Sequence, residues 1–188
     1  MAAPITNVIG FDDGPFDKQR RGGAVLLVGA VCARTRLDGV VSGRVRHDGR
    51  NATQRMIELV RGSQFDEYVR AVLLGGIAVA GFNVVDIRAL HAALERPVVV
   101  VARRPPRYAM IREALSRVPG GDRKWALIQA AGPMEPLGGI YVQRVGISPA
   151  DTAAMLEATA LHGKLPEPVR AAHLIAGGVV RGTSRGRA

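Results

Sequence analysis

The stretch "GFDDGPF" at residues 10–16 sets two carboxylates, Asp12 and Asp13, directly behind an apolar run. Another acid, Asp48, closes a second strand-like segment in "RVRHDGR". Carboxylates gathered at one point repel when ionised, and a divalent cation such as Mg2+ or Mn2+ relieves the repulsion through hard oxygen ligands. Such a cation can activate water against a phosphodiester. Asp12 and Asp48 are therefore the candidate catalytic residues, and Asp12, Asp48 and Asp13 the candidate metal ligands. A polar turn is the plainer reading of each acid taken singly. Successive strand side chains alternate in direction, so Asp13 is expected to face away from Asp12 for as long as the strand persists. Arg103, Arg104 and Arg107 in "ARRPPR" (102–107) follow another apolar run. They are candidates for phosphate contact, since the guanidinium fork suits phosphate, with a solvated turn as the alternative.

Other residues carry weaker signals. Asp86 in "FNVVDIRAL" reads as an acid favoured by a helix N-terminus. His47, His91, His162 and His173 have no metal-ligand spacing and read as surface or core residues. The glycines of "GGIAVAG" lack the G-x-G-x-x-G spacing of a nucleotide fingerprint, and no nucleophile elbow or Cys/His dyad is evident.

The elements that would position these residues follow from hydrophobic period. Residues 5–11 read as a strand ending at Asp12, 23–36 as a buried strand, 37–39 ("LDG") as a hairpin turn and 40–47 as a half-wet strand. The period then changes. Residues 51–61 form a helix with Asn51 and Thr53 as plausible caps, 71–76 a short buried strand, and 83–95 an amphipathic helix. Residues 96–106 read as strand, basic turn and breaker, and 108–118 as a helix. "WALIQA" and 138–146 are two strand candidates. A helix over 148–161 opens on Ser148 as N-cap and Pro149, and another begins within 165–180. The tail 181–188 is basic and expected to be mobile. Antiparallel strands followed by β-α-β units predict an α/β fold: a mixed sheet of five to seven strands, parallel in its later part and covered by helices. No repeat or linker interrupts 1–188, so one domain is expected.

Composition narrows the function classes. The 188 residues are 47% hydrophobic, enough for a real core, and the formal net charge is +10. The cations are nearly all Arg, with lysines only at 18, 124 and 164. The charge points either to a polyanionic partner, DNA or RNA, or to genome composition. With 4% aromatic residues, a platform of stacked rings is not expected. The single cysteine, Cys32, lies in an apolar stretch and reads as a buried small hydrophobe in a reducing compartment. No secretory signal is visible, and the longest uncharged run, 71–85, is shorter than a membrane span. A cytoplasmic protein without a membrane partner is expected, and its oligomeric state is left open.

"GFDDGPF", "GGIAVAGFNVVDIRALHAALERPVVVVARRPP" and "LPEPVRAAHLIAGG", in this order, resemble an uncharacterised, mainly archaeal family, domain of unknown function 99. That family is in turn similar to endonuclease V. The resemblance covers nearly the whole chain. It implies a ribonuclease H-like fold and a Mg2+-dependent nuclease that cuts DNA or RNA near deaminated purines. It gives Asp12 the place of endonuclease V's first acid, and Asp48 that of a glutamate one methylene longer. The third acid's place is taken by Gly75. The family's wedge before the third strand has no counterpart in "DGVVSG", and neither does the late His of "GHRIS" in "RVGIS". Two acids of three favour either phosphodiester hydrolysis with one cation or a catalytically degenerate nucleic-acid-binding protein. A scaffold for a protein or small ligand is the weaker third reading.

Overall fold

The structure, a computed structural model, describes residues 3–17 and 22–184. Its first strands form an antiparallel meander of β1 (Asn7–Asp13), β2 (Ala24–Ala33) and β3 (Arg36–Arg46). The β2–β3 turn falls at Arg34 and Thr35, not at residues 37–39. Arg34 takes the left-handed backbone (φ 55°) that glycine usually supplies, so no typical turn residue marks it. Leu37–Gly39 lie within β3, where a bulge interrupts the register at Val31/Cys32. Gly39 is there for packing, because the Phe65 ring occupies the place of a Cβ.

The chain then changes period. α1 (Ala52–Arg61) buries Ala52, Met56 and Val60. Asn51 holds the cap position, but its side chain does not cap. Asn83 caps instead, its Oδ1 accepting from the Ala52 N–H at 3.0 Å. Thr53 Oγ1 accepts from the Asp86 N–H. β4 (Ala71–Leu74) is fully buried, and β5 (Ala78–Val79) with β6 (Asn83–Val84) makes a small antiparallel ribbon. The expected helix over 83–95 begins only at α2 (Ile87–Leu94), because Asp86 stops the extended segment and caps the Ala89 N–H. β7 (Val98–Ala102) and α3 (Tyr108–Leu115) follow.

"WALIQA" lies inside α4 (Gly121–Ala130) and is not a strand. A short apolar run is ambiguous between strand and helix, and here Lys124 and Ile128, four apart, share the buried face. The chain closes with β8 (Glu135–Leu137), β9 (Ile140–Val145), α5 (Pro149–Thr159) and α6 (Glu167–Arg181). Ser148 caps α5 through the Asp151 N–H. Of the expected tail, Arg181 still belongs to α6, and residues 185–188 lie outside the described residues.

The seven-stranded sheet runs β3-β2-β1-β4-β7-β9-β8, with β1, β4 and β7 parallel and the other pairs antiparallel. Alternation sorts each strand between two apolar layers. Ile9, Phe11, Val72, Leu74, Val98 and Val100 pack under α1 and α2. Val8, Ala71, Leu73, Val99 and Val101 pack under α5 and α6. Cys32 is buried, as expected, and burial pushes its thiol up to about 12. Among the described residues no helix is long and apolar enough to cross a membrane.

Candidate functional site

Because β1, β4 and β7 are parallel, their carboxyl ends open on one edge of the sheet. In α/β sheets this is the edge where ligands gather. β1 persists through Asp13, so its alternation holds to the end. Val8, Gly10 and Asp12 face α6, while Ile9, Phe11 and Asp13 face the α1–α2 layer. Gly10 lets α6 approach closely, since any Cβ there would overlap the backbone of Pro168 and Val169. That approach brings His173 over Asp12, with His173 Nδ1 2.8 Å from Asp12 Oδ2. The other oxygen, Asp12 Oδ1, accepts from the Asp13 N–H at 2.9 Å.

Both acids are poorly solvated. Burial raises the pKa of Asp12 from its ordinary value, against the Asp13 N–H and His173, which lower it. Burial, and then the charge of Asp12, push Asp13 up to about 6, although the Ala80 N–H donates to its carboxylate. Gly75, one residue past β4, lies beside Asp12. A Cβ there would be 3.7 Å from both Asp12 Cγ and Asp12 Oδ1.

Asp48 lies in the loop after β3, and β2 stands between β3 and β1. It anchors the loop before β6. Its Oδ1 accepts from the Phe82 N–H at 2.8 Å, its N–H donates to the Ala80 carbonyl at 2.9 Å, and His47 Nε2 lies 3.4 Å from its Oδ2. Asp48 thus reaches Asp13 through Ala80, whose carbonyl and N–H serve one acid each. Among the described residues no group of three or more His, Cys, Asp or Glu could hold a metal ion. Asp86 is the helix cap its position implied. Arg103 and Arg104 are exposed just beyond β7, and Arg107 is the residue before α3.

The residue that sequence reasoning missed is His173. It stands 161 positions from Asp12, with no local pattern around it. The usable signal lay in "LPEPVRAAHL", where the helical period puts His173 four residues after Val169, on the face turned to the sheet.

The model of the endonuclease dU family matches residues 4–180. The chain belongs to the endonuclease dU family. Relatives within reach of this family include a UPF0215 protein of Deinococcus radiodurans, 55% identical over 97% of this chain and 93% of its own. One of Methanothermobacter thermautotrophicus is 42% identical over 96% of this chain and 91% of its own. The crystal structure of a protein of unknown function from Archaeoglobus fulgidus superposes with a TM-score of 0.86 at 31% identity, covering 93% of this chain and 98% of that one. The catalytic domain of human endonuclease V superposes with a TM-score of 0.57 at 18% identity, covering 95% of this chain and 83% of that one. Ciona intestinalis endonuclease V, solved in complex with a 24mer DNA containing an inosine followed by a ribo-adenosine, gives 0.57 at 14% identity, covering 89% and 82%. The family therefore has the endonuclease V fold, as the resemblance implied.

Proposed function

We propose that this chain is a divalent-metal-dependent nuclease that hydrolyses a phosphodiester at Asp12, in DNA carrying deoxyuridine or another deaminated base. The observation that carries this reading is the pair formed by Asp12 and His173, at the carboxyl edge of the parallel strands, beside Gly75. The family's name supports the substrate class.

The donor set bears on the metal. Asp12 and Asp13 are oxygen donors whose desolvation a cation would relieve, but they face opposite sides of the sheet, and Gly75 supplies no third acid. This fits an ion held by Asp12, waters and a substrate phosphate together, a set that Mg2+ accepts. When bound there, Mg2+ or Mn2+ supplies charge neutralisation at the phosphate and a more acidic water. The protein's own groups do the rest. An ionised carboxylate only accepts, so His173 Nδ1 carries the proton toward Asp12. His173 Nε2 is then the acceptor available for a proton from the attacking water. Arg103 and Arg104 stand two strands from Asp12, roughly 10 Å away across the sheet. With Arg107 they hold flanking phosphates. Asp48, one of the two acids first read as catalytic, keeps the Ala80 loop in place above Asp13.

A second reading is favoured by Gly75: a protein that binds nucleic acid without cutting it. Incubation with single-stranded, duplex, deoxyuridine-containing and inosine-containing DNA and RNA, with Mg2+, Mn2+ or EDTA, separates the two. Metal-dependent cleavage of a modified strand supports the nuclease. Affinity that falls with salt and ignores Mg2+, with no cleavage, supports the binder.

A further inference from the structure

Among the described residues one cation is buried. Lys124 on α4 is only 2% exposed. Its ammonium donates to the Asp48 carbonyl at 2.6 Å, which leaves two of its three N–H donors for other partners. Burial disfavours the ammonium, the Asp48 charge favours it and Arg50 opposes it, and one carbonyl leaves a buried ammonium short of hydrogen-bond partners. Lys124 opens on a cavity of about 240 Å3 whose wall also carries Arg50 and Arg123, with Asp86 as the acid on the wall. Asp86 Oδ1 is engaged by the Ala89 N–H. Thr53 and Gln54, in the first turn of α1, line the same cavity, and helix geometry leaves amides there without intrahelical partners. Three cations and first-turn amides around one small cavity make a receptor for a tetrahedral anion.

We propose that this cavity is a phosphate-binding subsite that seats one backbone phosphate of the nucleic-acid strand cut at Asp12. The cavity is tied to the acid edge by three hydrogen bonds in series. Lys124 donates to Asp48, Asp48 to Ala80, and Ala80 to Asp13. A strand held at Arg103 and Arg104 is thereby gripped at a second place. The proposal rests on the nucleic-acid reading above for its ligand, but not for its chemistry.

The test has two arms. In the first, a single-stranded DNA is titrated against wild type, Arg123→Ala, Arg50→Ala and Lys124→Met between 50 and 200 mM salt. Loss of one phosphate contact lowers the slope of log affinity against log salt by about 0.7. That reduction is expected for the three cavity variants and not for Arg117→Ala, whose side chain is exposed and paired with Glu113. Arg50 and Arg123 are exposed, so their variants decide the matter if Lys124→Met does not fold. In the second arm, inorganic phosphate is titrated by calorimetry, with binding expected for wild type and lost in Arg123→Ala and Arg50→Ala. Unchanged slopes in a wild type that binds DNA overturn the subsite and leave the nuclease reading standing. If wild type binds no DNA even at low salt, the nuclease reading falls. The phosphate arm then decides alone: binding abolished by the cavity variants keeps an anion site, and no binding, or binding they do not change, overturns it.

Discussion

Replacing Gly75 by Asp puts a carboxylate where the third acid is missing, and the structure fixes its consequences. The new Cβ lies 3.7 Å from Asp12 Cγ and Asp12 Oδ1, and 3.0 Å from Val169 Cγ1, so Val169 must yield by a few tenths of an ångström. The backbone at Gly75 is not in the left-handed region, so a side chain is tolerated there; the strained glycine is Gly76, with φ 118°. Two like charges about 4 Å apart near a protein surface repel by about 4 kcal/mol. In EDTA at pH 7.5, that loss lowers the melting temperature by about 8–16 °C, taking about 2–4 °C per kcal/mol for a chain of this size. Two facing carboxylates form the site that one cannot. Mn2+ at a hundred times its dissociation constant then returns about 2.7 kcal/mol, or about 5–11 °C. Gly75→Asn meets the same Val169 contact without the charge and serves as the control. Differential scanning fluorimetry with and without Mn2+ reads all three proteins. An equal Mn2+ response in wild type and Gly75→Asp, or no destabilisation of Gly75→Asp relative to Gly75→Asn in EDTA, refutes the placement of position 75 beside Asp12.

Three further outcomes follow from the same geometry. With Asp13 at about 6 when folded and about 3.8 when unfolded, the unfolded chain releases this proton first as pH rises. Stability is therefore fully present below about pH 4 and lost toward pH 6, by up to about 3 kcal/mol. Urea unfolding at pH 4.5 and 7 should show wild type losing more than Asp13→Asn, and identical profiles would refute the buried, coupled acid. Gly10→Ala drives a methyl into the backbone of α6, so about 3 kcal/mol or more of destabilisation is expected in the same assay; a stability unchanged within about 0.5 kcal/mol rejects the close approach. Arg103→Ala and Arg104→Ala should each weaken binding of unrelated DNA sequences equally and lower the salt slope by about 1, whereas a sequence-dependent loss argues against phosphate contact.

Much of the fold was legible because its parts are local. The apolar runs of β1, β2, β4 and β7 and the proline-started helices α5 and α6 carry their signals in adjacent residues. Where reading failed, a distant partner had decided. Phe65 made Gly39 a packing position, and the turn fell at Arg34. Asn83, 31 residues on, took the capping role expected of Asn51. At the site, strand alternation correctly turned Asp13 away from Asp12. The strand order was not readable, however: β2 stands between β1 and β3. His173 was invisible for the same reason: only the packing of α6 on Gly10 brings it to β1.

The central claim, that Asp12 with His173 performs metal-dependent strand cleavage, is tested most directly by single-turnover kinetics on a deoxyuridine-containing DNA in Mn2+. Wild type, Asp12→Asn and His173→Ala are compared, with affinity for the same DNA measured in EDTA. Rates at least about 100-fold lower in both variants, with affinity kept within twofold, are the predicted result. Cleavage by Asp12→Asn at the wild-type rate, or no cleavage by wild type of a strand it binds, contradicts it.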